Sequence, residues 1–133
     1  MTTRTLVMLS AALVAATGVA LIADPDFVVR AILGDGLSGA GIAAGRGAGI
    51  VLFALGLACW PSGTDATSRA IWALLTYDLL VVFYLGYLRV SGGFVSSVLW
   101  PACALHALLA LLLTGTAYER FSGKDHSSKS RIA

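Results

Sequence analysis

Three ionisable side chains interrupt three otherwise apolar stretches of this chain: Arg46, Asp78 and His106. A guanidinium, a carboxylate and an imidazole on neighbouring helices could pass a proton or grip a small polar ligand. Each is costly alone in lipid, so an intramembrane charge with a partner is a functional-site hypothesis by default. Arg46 could fork onto Asp78 bidentately and offset much of that cost, or snorkel outward. Tyr77 adjoins Asp78 but points about 100° away around a helix, and Tyr84, seven residues on, shares the Tyr77 face. Arg46, Asp78, His106, Tyr77 and Tyr84 are therefore the candidate ligand-binding or proton-relay residues. The structural alternative is a polar lock that fixes helix register. The functional reading is a small polar cavity, open to the outer face, that binds a proton, an anion or a quinone-like headgroup.

Other chemistry finds less support. No second intramembrane histidine accompanies His106, which argues against haem. His126 falls in a polar tail and reads as solvated. Cys59 and Cys103 form no C-x-x-C pair. Their estimated depths differ by roughly 15 Å, whereas a disulfide needs Cα atoms within about 7 Å. Both read as small apolar residues. No metal site and no catalytic nucleophile stands out, so a non-enzymatic role is favoured. The formal charge of +2 is too small, and the basic residues too scattered, for nucleic acid.

The elements that must position these residues are helices in lipid. The chain has 133 residues, 58% of them hydrophobic and 12% charged. A soluble domain carries about 25% charged residues, and a chain this apolar could not cover its own surface with polar groups. Four continuous apolar stretches are long enough to cross a bilayer, which takes about 20 helical residues. They run from about Leu6 to Ala23, Gly41 to Trp60, Arg69 to Arg89 and Val95 to Tyr118. Continuous rather than alternating hydrophobicity selects helices over barrel strands. The first stretch could also be read as a cleaved signal peptide, with Arg4 as the positive region and Gly18-Val19-Ala20 as the cleavage site. Its length favours a retained helix.

Arg4, Arg69, Arg120, Lys124, Lys129 and Arg131 fall on one side of this arrangement, and only Arg30 and Arg89 on the other. The side richer in cations should be cytoplasmic, so both termini face inward. Trp60, Trp72 and Tyr118 then sit near the inner interface, with Tyr87 and Trp100 near the outer one. The first outer loop, Asp24 to Ala40, should hold a short interfacial helix. Asp24 is its N-cap, Pro25 opens its first turn, Asp26 complements the positive end and Gly34 stops it. Phe27, Val28, Ala31 and Ile32 would form its apolar face. Short connections at Pro61–Ser68 and Ser91-Gly92-Gly93 make successive spans antiparallel neighbours. The fold expected is an all-α, antiparallel four-helix transmembrane bundle over residues 1–121, with a polar and disordered tail over 122–133.

Gly41, Gly45, Gly49 and Gly56 share one face of the second span. Small residues at this spacing let backbones approach closely. Ala12, Ala16 and Ala20 repeat the pattern on the first span, and the two faces should meet within one subunit. A contact between copies is the rival reading. Depth follows from about 1.5 Å rise per residue. Asp78 and His106 each lie roughly 16 Å from the outer end of their helices, while Arg46 lies roughly 8 Å deep.

A further set of residues carries a resemblance: Asp24-Pro25, Leu33-Gly34, Gly45-Arg46 with Gly49-Ile50, Leu55-Gly56-Leu57-Ala58-Cys59-Trp60-Pro61, and Leu99-Trp100-Pro101-Ala102 with Leu105-His106. Together they resemble small bacterial four-helix membrane proteins related to the DoxX-like group, over most of the chain. The resemblance implies a multi-pass protein of the bacterial inner (plasma) membrane. It also makes an accessory redox role imaginable, with quinone or lipid as the associated small molecule. Similar proteins carry Tyr-Asn where this chain has Tyr77-Asp78, so the acid is a departure. Small multidrug exporters also have four short helices, but with a Glu in the first span, where this chain has none. The function expected is a non-enzymatic accessory or small-ligand-binding subunit of the membrane, alone as a homo-oligomer or within a larger complex. The alternative is a proton-coupled small-molecule transporter or a quinone-linked redox subunit.

Overall fold

The computed structural model describes residues 2–62, 64–91 and 96–129, the side chains of 64–66 and 120–129 excepted. Five helices follow in order: α1 (Thr3–Ala23), α2 (Pro25–Leu33), α3 (Ala40–Ala58), α4 (Thr64–Val90) and α5 (Leu99–Lys129). No strand occurs among the described residues. Four helices are long and apolar enough to cross a membrane, over Thr3–Ala23, Ala40–Ala58, Thr67–Val90 and Leu99–Glu119. That fits a small, multi-pass integral membrane protein. The expected Ser91-Gly92-Gly93 turn lies, apart from Ser91, outside the described residues. Of the polar tail, the backbone continues as helix to Lys129; its side chains and residues 130–133 lie outside them too.

Leu9, Ile50, Val51, Phe83 and Leu111 are all exposed. Water would penalise such a surface, and hydrocarbon would not. Three hydroxyls inside the spans turn back on their own helices. Thr17 Oγ1 donates to the Leu13 carbonyl at 2.9 Å, Thr114 Oγ1 to Ala110 at 2.8 Å and Thr116 Oγ1 to Leu113 at 2.8 Å. These bonds meet the demand that polar groups in lipid be satisfied internally.

The helices pack as two close pairs, α1 with α3 and α4 with α5, and α1 joins the pairs through lesser contacts with α4 and α5. The main core gathers Leu6, Val7, Ala11 and Val14 of α1 with Ala70, Ile71, Leu74 and Leu75 of α4 and Ala110, Leu113 and Ala117 of α5. From the α3 side, Leu52, Leu55 and Cys59 reach it. Cys59 and Cys103 are free thiols, as their depths require.

Glycine makes the α1/α3 seam. A Cβ on Gly56 would lie 2.7 Å from the carbonyl oxygen of Ala11 and from the backbone nitrogen and Cβ of Ala15. One on Gly49 would lie 2.7 Å from the Gly18 carbonyl and 2.8 Å from the Ile22 nitrogen. The expected glycine face is thus the packed face of α3, but its partner is not Ala12, Ala16 and Ala20. Those three are exposed, and Ala11, Ala15, Gly18 and Ile22 form the α1 side of the contact. Two small-residue stripes run along α1 one residue apart, and the close backbone approaches at Ala11, Ala15 and Gly18 decide between them.

At the other end of the glycine row, Pro25 fills the space a Gly45 side chain would take, 2.7 Å from the ideal Cβ, and Gly41 leaves room for Leu37. Pro25 opens α2, whose N-cap Asp24 accepts from the Phe27 amide at 3.0 Å. Gly34 ends α2 in the left-handed region, at φ 84°, where a side chain would be strained. The following elbow folds back because Asp26 Oδ1 accepts from the Leu37 amide at 2.6 Å, while Asp26 Oδ2 takes Arg30 at 2.7 Å. Together these donors hold the Asp26 carboxyl below its usual range, the Leu37 amide contributing most. Ile32 and Leu33 pack against Leu85, Leu88 and Leu99, and Ser96 Oγ donates to the Ala31 carbonyl at 2.7 Å. The packed side of α2 is therefore rotated from the expected face. Phe27 is 69% exposed and Ala31 is exposed, while Val28 and Ile32 are half-buried.

Candidate functional site

On α4 the residues that turn toward its neighbours are Thr67, Ala70, Ile71, Leu74, Leu75, Asp78, Leu85 and Leu88. Asp78 continues the line of Ile71 and Leu74 at helical spacing, so the fold drives it inward with the leucines. It is 1% exposed, deeper than most of the apolar core. On α5, Ala110, Leu113 and Ala117 form the matching line, and His106 precedes Ala110 by about one turn.

These two lines bring His106 Nδ1 within 2.7 Å of Asp78 Oδ1, with side-chain exposures of 16% and 2%. A carboxylate only accepts, so facing it the imidazole Nδ1 carries the hydrogen and donates. Tyr77 stands beside the pair, its ring edge-on to the imidazole at a centroid distance of 5.7 Å and an interplanar angle of 78°. The Tyr77 ring thus fixes the imidazole plane while the carboxylate fixes its tautomer.

The second carboxylate oxygen is the exception. Asp78 Oδ2 is buried and has no hydrogen-bond partner among the described residues. Ser10 Oγ, on α1, shares this condition. Leaving a buried charged oxygen unpaired costs more than a hydrogen bond returns, and such groups call for a specific explanation.

Of the five residues singled out from sequence, Asp78, His106 and Tyr77 come together. Arg46 does not join them. It is exposed on α3, with no ion pair or hydrogen bond among the described residues. The reason is directional. Gly45 and Gly49 turn toward α2 and α1, and Arg46, the residue after Gly45, points about 100° away. Moreover, α3 packs on α1 and α2 rather than on α4. The expected Arg46–Asp78 fork is thus replaced by the His106–Asp78 bond. Tyr84 is 60% exposed and lines no interior. Seven residues fall about 20° short of two helical turns, and Tyr77 already sits at the edge of the packed face.

Sequence reasoning did not single out Ser10. Its signal was present at the level of spacing, because Ser10 falls between Val7 and Val14 on the buried stripe of α1. No group of three or more metal-ligating side chains occurs among the described residues. Comparison with protein-family models, curated proteins and solved structures finds no match to this chain.

Proposed function

We propose that this chain is a small-ligand-binding protein of the bacterial inner membrane, with Asp78 and His106 as its binding pair and Tyr77 as the wall beside them. One observation carries the reading: Asp78 Oδ2 is buried with no partner among the described residues, while Oδ1 accepts from His106. A polar lock built only to fix register would serve both oxygens, since a half-satisfied buried group is worse than an apolar one. A site that waits for a ligand keeps one acceptor unserved.

The reading includes an antiparallel bundle with both termini cytoplasmic. The contacts that climb α3 descend α1, and the cation distribution in the sequence supports the orientation. In it α2 lies at the outer interface, held by Asp24, Asp26 and Ser96. A relationship to the DoxX-like group belongs to the same proposal. Pro25 and Gly45, which carry part of that resemblance, meet in one contact. A proton-coupled transporter is the second reading, favoured by a hydrogen-bonded acid and imidazole that can hold one proton or two.

Native mass spectrometry of protein released from nanodiscs tests the reading. Wild type should retain a small molecule or lipid that Asp78→Asn loses, with both proteins folded by circular dichroism. Equal retention by the two proteins refutes a ligand role for Asp78.

A further inference from the structure

We propose that α3 carries a phospholipid site, in which the Arg46 guanidinium holds the phosphate of an anionic phospholipid and the open face of α3 below it carries the acyl chains. This site stands apart from Asp78 and requires only that α3 lies in a bilayer.

An unpaired cation inside an apolar span is the starting observation. The buried residues of α3 are Gly49 and Gly56, in the row that meets α1. Arg46 is exposed, with no ion pair or hydrogen bond among the described residues. Charge left unpaired in lipid is costly, and reaching toward the interface lowers that cost. Arg46 lies about 9 Å along α3 from its first residue, Ala40. Side chains on a helix lean toward its N-terminus. The guanidinium therefore climbs past the small, exposed Ala43 toward the level where a bilayer keeps its phosphates.

Below Arg46 two adjacent rows run on toward the far end of α3. Ile50, Phe53 and Leu57 form one, and Val51 and Ala54 lie beside them, all exposed. At the head of the second row Gly47 is open, with nothing within 4 Å of its ideal Cβ. The face is cationic at the end near α2 and apolar beneath, which is the polarity of a phospholipid in one leaflet.

Charge complementarity selects the occupant. A second copy of the chain would have to bring a spare carboxylate to this level. Asp24 caps α2, Asp26 takes the Leu37 amide and Arg30, and Asp35 accepts from the Gly36 amide at 2.8 Å. Asp78 is buried, and Glu119 ends the α5 span at the end away from α2. Free phosphate would satisfy Arg46 but leave both rows bare. A phospholipid supplies both parts, and its phosphate accepts the guanidinium fork bidentately. A headgroup with its own ammonium competes for that phosphate, so one without it, as in phosphatidylglycerol, fits better.

Native mass spectrometry of the full chain released from nanodiscs tests the site. The discs hold dioleoylphosphatidylcholine with minor, equal shares of dioleoylphosphatidylglycerol, dioleoylglycerol and oleate. Wild type should retain phosphatidylglycerol about five-fold above its share relative to phosphatidylcholine, the preference that one cation gives. Arg46→Gln should lose this enrichment and Arg46→Lys keep part of it, both folded by circular dichroism. Arg89→Gln is the control. Arg89 stands at the same end of the bundle, but 6.0 Å over the Trp100 ring, and its loss should leave the enrichment intact. Folded Asp78→Asn should keep it too, so failure here leaves the Asp78 reading standing. No enrichment in wild type, equal enrichment in Arg46→Gln or equal loss in Arg89→Gln overturns the proposal. Oleate or dioleoylglycerol retained in its place, or displacement by excess glycerol phosphate, overturns it as well. A lipid-free dimer that Arg46→Gln separates would assign the face to a second copy and overturn it.

Discussion

Replacing Gly56 with alanine should loosen α1 from α3, and the coordinates set the scale. The added methyl would lie 2.7 Å from three atoms of α1, two of them backbone. Ordinary contact begins at 3.4 Å, so the helices must part by about 0.7 Å at that level. Backbone atoms cannot rotate away as a flexible side chain would. Overpacking of this kind costs about 1–3 kcal/mol, which is about a 5- to 140-fold loss in the folding equilibrium. Gly47→Ala is the control on the same helix. Nothing lies within 4 Å of its added methyl, so it should be neutral or gain slightly from helix propensity. Unfolding of both variants by SDS titration in mixed micelles, followed by far-ultraviolet circular dichroism, gives the comparison. Equal midpoints for Gly56→Ala and Gly47→Ala would refute the α1/α3 packing described above. A midpoint lowered by Gly47→Ala alone would invert it, placing the opposite face of α3 in the seam.

Three further outcomes follow from other contacts. Ser96→Ala removes the bond to the Ala31 carbonyl and should free α2 by about 1 kcal/mol, seen as faster amide exchange across Pro25–Leu33 with α1 unchanged. The Asp26 carboxyl is held below its usual range by the Leu37 amide first and Arg30 second. Its contribution to the α2 elbow is therefore present above the ordinary carboxylate range and lost as pH falls through the lowered value. Protection of the Leu37 amide, taken as its exchange relative to the intrinsic rate at each pH, should fall on acidification in wild type and be already low, without that acid step, in Asp26→Asn. Arg46→Gln should leave the His106 ring-nitrogen signals unmoved, because the guanidinium lies apart from the pair; a clear shift would restore Arg46 to the site.

Much of the scaffold was legible because it depends on local chemistry. Span lengths follow from hydrophobicity, the α2 start from Asp24-Pro25 and its stop from Gly34. The estimate that Asp78 and His106 share a depth left room for them to meet, although the partner expected for Asp78 was Arg46. Rotation about a helix axis was harder. Arg46 shares a helix with the glycine row, so its direction was implicit once Gly45 and Gly49 were taken as the packed face. Depth alone, however, let it bend toward Asp78. The α1 stripe failed for a related reason. Ala12-Ala16-Ala20 and Ala11-Ala15-Gly18 have nearly the same spacing, and only the tertiary contacts with Gly49 and Gly56 separate them. The α2 face shifted because Pro25 and Leu33 dock at opposite ends of a two-turn helix, and that pull is invisible in its own periodicity.

The hydrogen bond between His106 Nδ1 and Asp78 Oδ1 is the centre of the account, and nitrogen-15 resonance of the labelled imidazoles reads it directly. The chain has two histidines, so His126→Gln assigns the His106 signals without ambiguity. In lipid nanodiscs His106 should show a protonated, strongly hydrogen-bonded Nδ1, and Asp78→Asn should move that signal while leaving His126 in place. A His106 Nδ1 signal that is the same in wild type and in folded Asp78→Asn would contradict the pairing, and with it the proposed site.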